Sequence, residues 1–231
     1  MGHNPLDCAT CPVRDRAACS ALNDEERDEL ASIGRHITLA RGEALFSSAD
    51  ERSGCATLIS GALKISSFGE DGTERILSLV HPAGFVGEMF APVPRHDVIA
   101  VTDSRVCVFS GEGYGRAIER FPALGRALLR RSAQDLFESR TLIELMGRRS
   151  ARQKVAGFLL SVARAASDSP CHTAREFELP LTRGEIAGLL GITIETVSRQ
   201  FGRFEQAGVV QRQGRRGLRI AKPAALEALA A

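Results

Sequence analysis

The chain has no apolar run long enough to be a signal-peptide core or a membrane span. Its first twenty-five residues, MGHNPLDCATCPVRDRAACSALNDE, mix charges of both signs, and nowhere do about 18 apolar residues run uninterrupted. Export and membrane insertion are not expected; a cytoplasmic location is. Net charge is also nearly missing: 30 basic residues face 28 acidic ones, a formal +2 over 231 residues. Nor is there a phosphate-cradling Gly-rich loop with Lys. Gly111-Glu112-Gly113 is too short for one and follows no helix-opening pattern. His81, Glu88, His96 and Cys107 lack any spacing that commits them to nucleophile, base and orienter. Catalysis is therefore not expected. What is present, 44% hydrophobic and 25% charged residues, is ordinary for a folded, water-soluble chain of one or two domains.

The near-zero charge hides an asymmetry. From Ser150 onward twelve basic residues stand against seven acidic ones, so the last third carries +5 and the rest −3. A basic module is the electrostatic footprint of contact with phosphate backbone. From about Leu39 to Phe109, short apolar runs are broken by Gly and Asp, as at Asp71-Gly72. This pattern predicts a series of short antiparallel strands, hence a barrel or roll. After Pro122 the period changes. Leu129, Ser132, Leu136, Ser139, Ile143 and Met146 recur every three or four residues, which predicts a long helix with a narrow apolar seam. Placed between a β module and a basic module, the seam is expected to pair with its copy in a homodimer, with Ser132 and Ser139 letting two backbones approach.

The segment LTRGEIAGLLGITIETVSRQFGRFEQAG has helix-turn-helix grammar. Thr182 and Glu185 form a capping box, Ile186, Leu189 and Leu190 supply a buried face, and Gly191 ends the first helix. Thr193 caps a second helix, with Val197, Phe201 and Phe204 at core spacing. A recognition helix enters the major groove by its N-terminal end. There Glu195 can accept from cytosine N4, Arg199 can donate to guanine O6 and N7, and Ser198 can reach a base or a phosphate. GVVQRQGRRGLRI predicts a two-stranded wing. Thr182, Arg183, Thr193, Arg203, Arg215 and Arg216 are the expected contacts to the backbone of double-stranded DNA.

Six cysteines remain. Cys8, Cys11 and Cys19 follow a Cys-x2-Cys-x7-Cys spacing, and thiolates so placed can converge on one soft metal centre. A structural zinc or a four-iron cluster wants four ligands, so a partner must come from Cys55, Cys107 or Cys171. Zinc, or free thiols used in disulfide redox sensing, are the other readings of the triplet. Cys55, inside a predicted strand, is expected to be a small core residue, and Cys171 a loop thiol.

The run from Leu181 to Val210 resembles the winged helix-turn-helix of the Crp/Fnr transcription regulators, and Glu195-Thr196-Val197-Ser198-Arg199 is similar to the signature of the Fnr branch. The resemblance extends along the whole chain and implies an α+β fold. Its expected segments are a cysteine-rich sensor at 1–22, a cyclic-nucleotide-binding-type β roll at 23–118, a dimerisation helix at 119–147 and a winged helix-turn-helix at 148–231. Ile194 stands where the cAMP receptor branch has Arg, which implies a TTGAT-spacer-ATCAA palindrome. Fnr oxygen sensors are similar in carrying three N-terminal cysteines and a fourth in a strand before the dimerisation helix. The resemblance thus assigns Cys8, Cys11, Cys19 and Cys107 to a [4Fe-4S] cluster, in a chain that binds DNA as a dimer under anaerobic conditions and contacts RNA polymerase. The x7 gap looks like the alphaproteobacterial variant. The family's cyclic-phosphate cassette is broken: Gly87-Glu88 is kept, but Pro94-Arg95 stands where Arg-Ser is expected, and Glu88 is expected at a surface or between domains. The alternative is a regulator of the same type that answers to a cyclic nucleotide, thiol redox, nitric oxide or zinc without a cluster.

Overall fold

The computed structural model describes residues 7–48, 54–88, 95–148, 150–167 and 172–231; Cys171 and Pro94 lie outside them. The chain divides into two compact units, Met1–Glu138 and Ser139–Ala231.

In the first unit, helix α1 (Asp24–Ser32) precedes eight strands: β1 (Gly34–Leu39), β2 (Ala44–Phe46), β3 (Gly54–Ser60), β4 (Leu63–Phe68), β5 (Glu74–Val80), β6 (Phe85–Val86), β7 (Asp97–Ala100) and β8 (Ser104–Ser110). They form two antiparallel sheets, ordered β1-β8-β3-β6 and β2-β7-β4-β5. Side chains alternate across a strand. Ala56 and Leu58 of β3 and Val106 and Val108 of β8 therefore turn into the roll, where they meet Leu63, Val80, Val98 and Ala100. The opposite set, Cys55, Thr57 and Ile59 with Cys107 and Phe109, faces outward. It is also covered: Cys55 is 0% and Ile59 2% exposed. Burial on both faces explains why GCATLIS reads as one apolar run rather than an alternating one.

The cover is helical. Helix α2 (Gly111–Arg120) starts at Ser110, whose hydroxyl accepts from Gly113 N. The expectation that no helix opens at Gly111-Glu112-Gly113 is thus corrected: a short serine cap suffices. Tyr114 and Ala117 of α2 pack with Cys55, Phe109, Leu22 and Leu30. Helix α3 (Pro122–Gly147) then runs across the boundary between the units, with Pro at its first position. Along it Leu129, Leu136, Ile143 and Met146 are 72, 51, 68 and 42% exposed, so the seam lies bare in the single chain. Ser132 is exposed and Ser139 half-buried.

The second unit holds the end of α3, α4 (Ala151–Ala165), β9 (Glu176–Glu178), α5 (Arg183–Leu190), α6 (Ile194–Gln206), β10 (Val210–Gln213), β11 (Gly217–Ile220) and α7 (Pro223–Ala230). Leu145 of α3 packs against α4 at Gly157, where a Cβ would come within 2.5 Å of its Cδ1. The wing sheet has three strands, ordered β10-β11-β9, and not the expected two. Strand β9 buries Phe177 between exposed Glu176 and Glu178, and three residues are too few for a period-2 pattern to register.

Candidate functional site

The cysteine segment is ordered by local polar bonds before it meets the roll. The Asp7 carboxylate accepts from Ala9 N at 3.2 Å and from the Thr10 hydroxyl at 2.6 Å, and the Thr10 bonds hold it below the usual carboxylate range. This Asx-type turn spans the gap between Cys8 and Cys11. Cys19 sits in a single 3-10 turn, Ala18–Ala21. Val13 and Ala17, 2% exposed each, press the segment onto Ile59 and Ala83, with Cys11, Cys19 and Cys107 beside them.

Cys107 lies on the outward face of β8, paired in register with His36 of β1 and Thr57 of β3. Between segment and sheet is a cavity whose wall includes Cys8, Cys11, Cys19 and Cys107, with Thr57, Leu30, Phe109 and Tyr114. Four sulfurs separated by up to about a hundred residues of chain thus share one apolar space. Burial and the neighbouring sulfurs push the Cys19 thiol up to about 11 and the Cys107 thiol up to about 12. Cys8 shifts the same way, while Arg27 pulls against it. All described cysteines are unpaired thiols. Cys55 is outside this wall, and burial pushes it to about 12, which suits a core residue. Among the described residues, no three His, Cys, Asp or Glu side chains have the arrangement of a metal site.

The sequence reading missed two wall residues. Tyr114 is 1% and Arg27 7% exposed, and both line the cavity. A signal was available for the arginine: Asn23 and Glu26 make a reciprocal capping box, the grammar of a helix start, and it places Arg27 in the first turns of α1. Glu88, expected at a surface or between domains, is part-exposed. It accepts from Arg95 N at 2.8 Å and meets His96 Nδ1 at 2.5 Å, so its oxygens are engaged by the chain's own loop.

A second route leads from the cavity toward α3. His81-Pro82-Ala83-Gly84 is a tight turn closed by Gly84 N donating to His81 O at 2.9 Å. Ala83 adopts φ 73°, the left-handed region normally left to glycine at this place in a type II turn. On one side Ala83 touches the cysteine segment through Val13 and Ala17. On the other, the Arg131 guanidinium of α3 reaches Gly84. Burial pushes His81 down to about 4, with Glu138 raising and Arg131 lowering it.

In the second unit, Thr182 and Glu185 make the reciprocal capping box on α5. Gly191 ends that helix at φ 61°, a left-handed cap that a Cβ would strain. Thr193 caps α6 by accepting from Thr196 N at 3.3 Å. Val197, Phe201 and Phe204 are buried in the unit's core, while Glu195, Ser198, Arg199 and Arg203 are exposed. Arg199 donates to the Thr196 hydroxyl, and the Glu195 carboxyl is held below its ordinary range by its own backbone N–H and by Thr193. An ionised acceptor and a cationic donor thus stand one turn apart on one open helix face. Arg215 is exposed and Arg216 half-buried in the turn between β10 and β11. Arg183 is placed differently from a free surface cation. Its guanidinium stacks over the Phe201 ring, and burial, with Arg212 nearby, pushes it down to about 10.

The comparisons with known proteins agree with this geometry. The cyclic nucleotide-binding domain family matches residues 36–121, and the Crp-like helix-turn-helix domain family matches residues 153–229. The chain is 32% identical over 212 residues to the transcriptional activator protein FnrL of Cereibacter sphaeroides, covering 90% of this chain and 86% of that one. It is 33% identical over 231 residues to the nitrogen fixation regulation protein FixK of Bradyrhizobium diazoefficiens, covering 97% and 94%. The solved structure of FixK2 from Bradyrhizobium japonicum superposes with a TM-score of 0.77 at 24% identity, covering 86% of this chain and 98% of that one, and shows the same fold. These relatives are regulators and not enzymes, and among the described residues no helix is long and apolar enough to cross a membrane. With a covered β roll, a seam-bearing helix and a capped recognition helix in one chain, the protein belongs to the Crp/Fnr family of DNA-binding transcription regulators.

Proposed function

We propose that this regulator senses oxygen through a [4Fe-4S] cluster held by Cys8, Cys11, Cys19 and Cys107, and that it grips an Fnr-type palindrome as a homodimer when oxygen is absent. The observation that carries the reading is the shared cavity: three thiols of an N-terminal segment and one of β8 line a single apolar space. The donor set fits. Cys19 and Cys107, whose thiols burial and the neighbouring sulfurs hold protonated, become thiolates only against a strongly cationic core, which a metal centre provides. When bound, such a cluster supplies an oxygen-labile cross-link between the segment and the sheet.

The residues of the chain do the rest. With all four thiols engaged, Val13 and Ala17 are held on Ala83, and the turn from His81 to Gly84 is held in place beside Arg131. The bare seam of Leu129, Leu136, Ile143 and Met146 buries against a second copy, each side chain contributing about 1.5 to 3 kcal/mol when fully covered. Pairing of the seams delivers two recognition helices together. The second half-site is then read at high effective concentration, a gain of about 10² to 10⁴ over one domain alone. Glu195, Ser198 and Arg199 read base edges. Thr182, Thr193, Arg203, Arg215 and Arg216 touch phosphates, and Arg183, stacked on Phe201, steadies α6 beside them. Bound at a promoter, the dimer contacts RNA polymerase.

Anaerobic purification tests the reading. The expected product carries about four irons and four sulfides per chain, with a visible absorbance band that bleaches in air as DNA affinity falls. Cys107→Ser abolishes the band and Cys55→Ser leaves it. Zinc in place of iron, or operator binding indifferent to air, would overturn the proposal.

A further inference from the structure

Arg27 is an arginine where a helix facing an apolar cavity would ordinarily carry a leucine. Its side chain is 9% exposed; two of its nitrogens are bonded to the cysteine segment and the third to Asp24 of its own helix. Nε donates to Cys19 O at 3.4 Å, Nη2 to Leu22 O at 2.7 Å and Nη1 to Asp24 Oδ1 at 2.7 Å. Asp24 also takes Arg14 Nη2 at 2.6 Å, so two guanidiniums on the cavity wall share this carboxylate. The arrangement is lopsided. Asp24 is 80% exposed, and Asp7 and Asp28, whose fields also reach Cys8, lie on the exposed side of the segment and of α1. Exposed charges are screened by water and salt, and a buried one is not. The cavity wall itself holds Arg14 and Arg27 and no carboxylate, so on that side the guanidinium of Arg27 faces sulfur and apolar groups, with its anion Asp24 out in water.

We propose that Arg27 is a positioning residue for the thiol-bound centre: it clamps the Cys19 turn by its two carbonyls and supplies the buried positive charge that offsets the four thiolates. The proposal rests on the cluster reading above. Four thiolates around a four-iron core leave a net negative charge, and the surrounding charge helps set both the potential of such a centre and its retention. A planar fork bonded in three directions does what a lysine cannot. Lysine keeps the charge and loses most of the clamp, whereas glutamine loses the charge.

The test compares the full-length wild type with Arg27→Lys and Arg27→Gln, all purified without oxygen, by reduction potential, by the rate of iron loss to a chelator and by amide hydrogen exchange of residues 19–22. Arg27→Gln is expected to lower the potential and to lose iron several-fold faster. Arg27→Lys is expected to keep a potential near wild type while residues 19–22 exchange several-fold faster. An Arg27→Gln protein with unchanged potential and unchanged iron loss overturns the proposal. If Arg27→Gln takes up no iron, Arg27→Lys decides: recovery of iron supports the role of the charge, and no recovery overturns it. A wild type devoid of iron overturns the cluster reading and this inference with it, whereas an iron-loaded wild type beside an unaltered Arg27→Gln overturns this inference alone.

Discussion

The two units of this protein build their working surfaces in opposite ways. In Ser139–Ala231 the groups proposed to read bases, Glu195, Ser198 and Arg199, lie within a few turns of one another, on a helix whose start is set by Thr193 and whose buried side is Val197, Phe201 and Phe204. In Met1–Glu138 the proposed ligands come from opposite ends of the unit, Cys8 to Cys19 on one side and Cys107 on the other. One surface is local and capped, and the other exists only because a segment lies over a sheet. The first can be read off a short window of sequence. The second depends on every layer between the roll core and the segment.

If the contrast is real, the core of one unit can be damaged without harming the other. Phe201 is 0% exposed, and Phe201→Ala should remove about 3 to 5 kcal/mol from the C-terminal unit. Calorimetry of the whole chain should show that unit's transition falling while the other stays; a joint shift would break the comparison.

A smaller effect separates binding from sensing. Arg199→Ala is expected to weaken operator binding by about 1 to 3 kcal/mol and to relax preference at one base pair of each half-site. Iron content should not change. Titration against cognate and substituted palindromes reads the first, and metal analysis the second.

The smallest effect belongs to the N-terminal unit. His81 is lowered from 6.5 to about 4, so between those values the unfolded chain binds more protons than the folded one. Stability from this group is complete above pH 6.5 and is lost as pH falls toward 4. The full shift would be worth about 3 kcal/mol; because His81 is part-exposed and its charge is screened there, a loss of about 1 to 2 kcal/mol is expected over that window, confined to the N-terminal unit. His81→Gln should flatten it in denaturant titrations at several pH values.

Much of the architecture could be read in advance where the signal is periodic. The three-and-four spacing from Leu129 to Met146 marked α3, and the Thr182 and Glu185 box marked α5. Three-residue β9 and the short helices α1 and α2 are hard to see in the sequence: β9 is too short for a period, and the helices open on a capping box at Asn23 and Glu26 and on a lone cap at Ser110, polar patterns that are common in loops as well. The burial of Arg27 is hidden in the sequence for a related reason. By residue type an arginine is expected in water, and only the carbonyls of Cys19 and Leu22 and the carboxylate of Asp24 make its burial tolerable.

The amino-acid order alone determined the parts whose physics is local: helices with an apolar stripe, their caps, the exposed face of Glu195, Ser198 and Arg199, and the close spacing of Cys8 with Cys11. Tertiary packing decided that Cys107 shares a cavity with them, that Arg27 looks into it, and that Glu88 is taken by His96. The reason is geometric. A strand shows its side chains to two faces, and which face is covered, and by what, is settled only when distant segments compete for the same apolar surface.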